Sequence, residues 1–115
     1  MSKIYISGPI SGYDLDERRC TFEEIENCLS HGYKVFNPMK NGLPDGAAYG
    51  KHMRADIRML TECDAIIFLH GWETSAGCRA EFIAAVCWGL EIYLNILDVP
   101  CVKSQLKPLE IAERG

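Results

Sequence analysis

A single acid, Glu81, interrupts the stretch TSAGCRAEFIAA, between a turn of small residues and a helix whose remaining positions are mostly apolar. An acid there either answers the helix dipole or is aimed at a ligand. With Ser75 as N-cap, Glu81 falls in the first turns of the helix, and that position by itself predicts a lowered carboxyl pKa. An ionised carboxylate at a pocket mouth can act as a nucleophile or stabilise developing positive charge. Asp56, in HMRADIRML, is the second candidate, because aspartate is a weak helix former in mid-helix. Exposed beside Arg54 and Arg58, it would need no function. Tyr5, on a predicted first strand, offers a hydroxyl to a carboxylate or is simply a core tyrosine.

Two loops rich in glycine and serine could hold an anion: SGPISG at residues 7–12 and HGWETSAG at residues 70–77. Both precede predicted helices, whose N-terminal N–H groups and dipoles attract negative charge. The candidate ligand-binding residues are Ser7, Gly8, Ile10, Ser11 and Gly12 in the first loop, and Ser75 and Gly77 in the second. Neither loop matches a dinucleotide or P-loop pattern, so glycines that merely shape tight turns are the alternative. Arg18 and Arg19 follow the first loop and either pair with a phosphate or lie on a solvated helix face. Trp72 and Tyr13 are suited to stacking on a planar base. His31, His52 and His70 share no metal-ligand spacing, and each reads as a surface or core histidine.

The elements that must position these groups alternate. Residues 3–7 read as a strand stopped by Gly8 and Pro9, and a helix from Asp14 or Asp16 repeats its apolar positions at Phe22, Ile25, Cys28 and Leu29, with Gly32 as its stop. Residues 33–36 read as a second strand and residues 40–48 as a loop. A helix over 49–63 leads to a third strand at 64–69, whose continuous apolar run suits a central parallel strand buried on both faces. A helix over 76–89 and a fourth strand at 91–96 follow. The polar tail, residues 103–115, takes no place in this pattern. Strands alternating with helices predict an α/β fold, a single-domain Rossmann or flavodoxin-like parallel sheet with helices on both faces. Ligands of such sheets sit beyond the carboxyl ends of the strands, where both glycine-serine loops fall.

Composition narrows the partners. At 115 residues and 48% hydrophobic, the chain is sized for one domain, residues 1–115, with a core of its own. A net charge of −4 provides no footprint for polymeric nucleic acid, although a pocket-sized anion needs only one or two cations. The six cysteines contain no CxxC pair and mostly read as small buried thiols, which argues against a disulfide framework or a metal site. No long apolar signal region opens the sequence and no apolar run approaches the ~18 residues of a membrane span, so a reducing, cytoplasmic setting is expected.

Taken in order, IYISGPISG, MRADIRMLTECDAIIFL and SAGCRAEFIAA resemble the nucleoside 2-deoxyribosyltransferase family and its deoxynucleoside-monophosphate N-glycosidase relatives. The likeness covers about residues 3–97 and is nearest to a subgroup that opens with YISGPISG. It implies that Glu81 attacks the anomeric carbon of the sugar, that Asp56 hydrogen-bonds sugar or base, and that Tyr5 orients the glutamate. It also implies a homodimer or larger assembly, which the apolar Trp88 and Tyr93 could serve, and it asks for no cofactor or metal. Two departures stand out. Where the monophosphate glycosidases read G-S-I-R-G, with an arginine for the 5′-phosphate, this chain reads GPISG. The glycine common after the catalytic glutamate is replaced by the Phe82–Ala84 segment, which changes the expected pocket shape.

The expected function is cleavage or exchange of the N-glycosidic bond of a nucleoside or nucleoside 5′-monophosphate. Two alternatives stand beside it. One is a noncatalytic module that senses or sequesters a small nucleotide and has no need of Glu81. The other is an NAD glycohydrolase, since glutamate-assisted cleavage also suits nicotinamide.

Overall fold

The computed structural model describes residues 1–105 and forms a four-stranded, fully parallel sheet with helices on both faces. Strands β1 (Lys3–Ser7), β2 (Lys34–Phe36), β3 (Ala65–Phe68) and β4 (Glu91–Tyr93) lie in the order β2-β1-β3-β4. Helices α1 (Leu15–Leu29), α2 (Tyr49–Thr61) and α3 (Ala76–Trp88) connect them in turn. This is the single α/β sheet with flavodoxin-like strand order that the alternation predicts.

The strand order fixes the side on which each helix lies. The step from β1 to β2 and the step from β2 to β3 run in opposite directions across the sheet, and right-handed crossovers put their helices on opposite faces. Accordingly, Phe22 and Leu29 of α1 pack on Ile4, Ile6, Ala65 and Ile67. Leu60 of α2 and Ala85 of α3 pack on Tyr5, Ile66 and Phe68 from the other side. Alternation along β1 therefore sends Ile4 and Ile6 to one core, and Tyr5 and Ser7 toward α2 and α3. Phe22 and Leu29 are fully buried, and each contributes roughly 1.5–3 kcal/mol.

Local chemistry sets the boundaries. Asp14 accepts from the Glu17 N–H at 2.9 Å to cap α1, and Asp16 and Glu17 complement the helix dipole. Gly32 does not end this helix, because Ser30 is the C-cap. Glycine is required at 32 for another reason: a Cβ there would lie 2.6 Å from the Cβ of Cys101. Helix α2 stops at Thr61, two residues short of the predicted end, and Asp64 precedes β3, its carboxylate accepting from the Lys3 N–H at 2.9 Å. The fourth strand is also shorter than expected, ending at Tyr93. Asn95 accepts from the Leu97 N–H at 2.9 Å and caps a 3-10 turn at Ile96–Asp98.

Residues 100–105 are helical, with Val99 and Val102 buried against the α1 side of the sheet; the remainder of the polar tail lies outside the described residues. All six cysteines are free, but Cys20, Cys28 and Cys87 are exposed rather than buried. Among the described residues, no helix is long and apolar enough to cross a membrane.

Candidate active site

Strand order reverses between β1 and β3, where connections leave in opposite directions and a crevice opens beyond the strand ends. A cavity of about 640 Å³ occupies this position, walled by the loop after β1, the loop after β2, one face of α2 and the first turns of α3. Gly8, Ile10, Ser11, Gly12, Ser75 and Gly77 all line it, as do Tyr5, Asp56 and Glu81.

Glu81 reaches the cavity from the second turn of α3, whose N-terminus is capped by Ser75 accepting from the Cys78 N–H at 3.3 Å. Glu81 is only 5% exposed. Tyr5 Oη donates to Oε2 at 2.5 Å and Ser7 Oγ donates to Oε1 at 2.8 Å. Two residues on one face of β1 thus hold both oxygens, and each oxygen keeps a lone pair for the cavity. The predicted lowering of its pKa is reversed. Burial pushes the Glu81 carboxyl up to about 7, against the opposing effect of the Tyr5 and Ser7 hydrogen bonds, and the charge of Asp56 raises it further. A helix start favours the anion, but removal from water is the larger effect here. Burial and the neighbouring Glu81 charge likewise raise Tyr5 well above an ordinary phenol, which keeps it a donor.

Asp56 is 8% exposed and faces the cavity rather than solvent, so the surface alternative does not describe it. Burial raises its pKa, opposed by a hydrogen bond from Asn41 and by His52. Asn41 Nδ2 donates to Asp56 Oδ1 at 3.0 Å and contacts His52 Nδ1 at 3.0 Å, while His52 Nε2 lies 3.1 Å from the Pro44 carbonyl. Asn41 did not stand out in the sequence, and His52, read there as a surface or core histidine, lies in the cavity wall. The i, i+4 spacing of His52 and Asp56 on one helix was the available signal.

Three sequence expectations are placed differently. Ser7 is fully buried and holds Glu81 rather than lining the cavity. Trp72 does not line the cavity: it stacks on Phe82 at 5.1 Å and packs beside Phe68 at 4.8 Å, so its ring is consumed by the core of that face. Arg18 is not a wall residue either. Its guanidinium lies 5.0 Å from the ring centre of Tyr13, which is in the wall, and 5.2 Å from that of Phe22. Its Nε and Nη2 are buried with no hydrogen-bond partner among the described residues. Arg19 pairs with Asp16 and Asp45 at the surface.

Fold and site together define a doubly wound α/β protein that carries two buried carboxyl groups in its switch-point crevice. The chain belongs to the family described as a domain of unknown function, DUF4406, which matches residues 2–94 and so spans all four strands and both carboxyl groups. Comparison with curated proteins finds no match.

Proposed function

We propose that this protein cleaves or exchanges the N-glycosidic bond of a nucleoside or nucleoside 5′-monophosphate in the cytoplasm, with Glu81 as nucleophile. The observation that carries the reading is the Glu81 carboxylate, nearly removed from water and held on both oxygens by Tyr5 and Ser7 at the wall of a nucleoside-sized cavity. A dipole-answering surface glutamate needs neither burial nor two hydroxyl donors. The likeness of its sequence blocks to nucleoside 2-deoxyribosyltransferases supports the same assignment.

In this mechanism Glu81 attacks C1′ as the C1′–N bond breaks, and the bonding electron pair leaves with the base. Asp56 gives a proton to the departing base, forming the neutral product. Water, or the nitrogen of a second base, then attacks C1′ of the glycosyl ester and releases Glu81; the proton lost by that nucleophile returns to Asp56. The reactive species carries one proton on the coupled Asp56–Glu81 pair, so activity passes through a maximum with pH. A required proton donor favours an ordinary purine or pyrimidine over nicotinamide, which leaves NAD as a neutral molecule without protonation.

The buried Nε and Nη2 of Arg18, without a hydrogen-bond partner among the described residues, favour the 5′-monophosphate among these substrates. Such donors cost about 1–3 kcal/mol each when left without a partner. A phosphate that displaces Tyr13 from the guanidinium would pair both. The exposed apolar residues Ile83, Val86 and Trp88 on α3 fit assembly through that helix.

The test is release of free base from nucleosides, deoxynucleoside monophosphates and NAD, followed chromatographically for wild type and Glu81→Ala. Release by wild type that is lost in the variant is expected. Tight binding seen by calorimetry with no release from any substrate would replace this reading with a noncatalytic nucleotide-binding module.

A further inference from the structure

We propose that Asn41 and His52 are positioning residues that leave Asp56 only one oxygen, Oδ2, on which to carry and deliver a proton. The inference rests on the glycosidic reading for its use, but not for its geometry.

Hydrogen-bond direction along this chain is fixed from both ends by backbone groups that cannot exchange roles. The Leu43 N–H can only donate, and it lies 3.0 Å from Asn41 Oδ1, so that atom is the amide oxygen and Nδ2 is the NH₂ group. At the other end the Pro44 carbonyl can only accept, and His52 Nε2 lies 3.1 Å from it, so Nε2 carries the imidazole proton. His52 Nδ1 is then a bare acceptor for one Asn41 hydrogen, at 3.0 Å. The second Asn41 hydrogen goes to Asp56 Oδ1, also at 3.0 Å. Every donor and acceptor of the Asn41 side chain is assigned, and no rotation of the amide preserves the set.

The consequence falls on Asp56. An oxygen that accepts the Asn41 N–H and is bonded in that direction is a poor site for a proton, so a neutral Asp56 holds its hydrogen on Oδ2. Oδ2 makes no hydrogen bond among the described residues, and Asp56 lines the cavity. The network therefore tethers one oxygen from the loop after β2 and presents the other to whatever occupies the crevice. His52 completes it by holding the amide plane, and it does so only as the Nε2–H tautomer.

The experiment is NMR of the ligand-free protein, which requires no turnover. Imidazole ¹⁵N shifts report the His52 tautomer, and ¹³C shifts of the aspartate carboxyls report the Asp56 titration, in wild type and in Asn41→Leu. In wild type, His52 is expected as the Nε2–H form. In Asn41→Leu the Asp56 midpoint is expected to rise by about one pH unit, because the donor that favours its anion is gone, and His52 loses its tautomer preference. An unchanged midpoint together with an unchanged tautomer in the folded variant overturns the proposal. Should Asn41→Leu not fold, His52→Phe carries the same test: an upward shift of Asp56 supports the network and an unshifted midpoint refutes it. These readouts stand even if no substrate releases a base, whereas base release with an unmoved Asp56 would refute the positioning role alone.

Discussion

Tyr5 and Glu81, 76 residues apart in the chain, meet as phenol donor and carboxylate acceptor at 2.5 Å in the protein interior. The contact joins β1 directly to α3 across the switch point, and it acts against burial, which lifts the Glu81 carboxyl to about 7. Removing the phenol therefore has a signed effect. In Tyr5→Phe the Glu81 carboxyl moves further up, so the single proton of the Asp56–Glu81 pair resides more on Glu81, and the basic limb of the pH–rate profile moves up by about one pH unit. The maximal rate drops roughly tenfold, because less of the enzyme holds that proton on Asp56. A profile whose basic limb stays in place would show that Tyr5 does not tune Glu81.

Glu81 also makes stability depend on pH. Its folded pKa lies above the ordinary 4.5, so the stabilising contribution is whole below about pH 4.5 and is lost as pH rises through about 7. At roughly 1.4 kcal/mol per pH unit, the full change is about 3 kcal/mol. Glu81→Gln keeps the shape and removes the charge. The variant should gain stability relative to wild type by up to about that amount between pH 4.5 and pH 8, followed by urea unfolding at both values. A difference between the two proteins that is the same at both pH values would contradict a buried, titrating Glu81.

Gly77 controls the width of the crevice where α3 faces α2. A Cβ there would approach Tyr49 Oη at 3.1 Å and Met53 Sδ at 3.2 Å, both in the cavity wall. Alanine needs a shift of only a few tenths of an ångström in those flexible side chains, whereas the branches of valine must enter the cavity. Gly77→Val is expected to weaken nucleotide binding at least tenfold, with a small change in melting temperature. Calorimetric titration that finds undiminished binding would place the ligand elsewhere.

Arg18 should separate phosphorylated from unphosphorylated substrates. Arg18→Met retains contact with Tyr13 and Phe22 while removing the donors that have no partner among the described residues. The expected result is a KM for the monophosphate raised tenfold or more and a KM for the free nucleoside little changed. Equal effects on both would assign Arg18 to packing alone.

The outline of the fold was legible because its signals are local. The burial of 65–68 on both faces shows as an unbroken AIIF run, the start of α1 is written in Asp14, and Ser75 announces α3. Element ends were less so: Gly32 looked like a helix stop, but it is demanded by a contact with Cys101, 69 positions away, which no local pattern contains. Trp72 looked like a stacking platform because the sequence shows an aromatic in a loop and does not show Phe68 and Phe82 waiting beneath it.

By itself, the sequence determined the alternation of strands and helices, hence a parallel α/β sheet, and it nominated Tyr5, Asp56 and Glu81 by residue type and position. Only the tertiary structure decided what surrounds them. It turned Ser7 from a ligand contact into a second clamp on Glu81, joined Asn41 and His52 to Asp56, and reversed the expected direction of the Glu81 pKa. The reason is that helix dipoles and propensities act within a turn of chain, whereas desolvation and hydrogen-bond partners depend on which segments the strand order brings together.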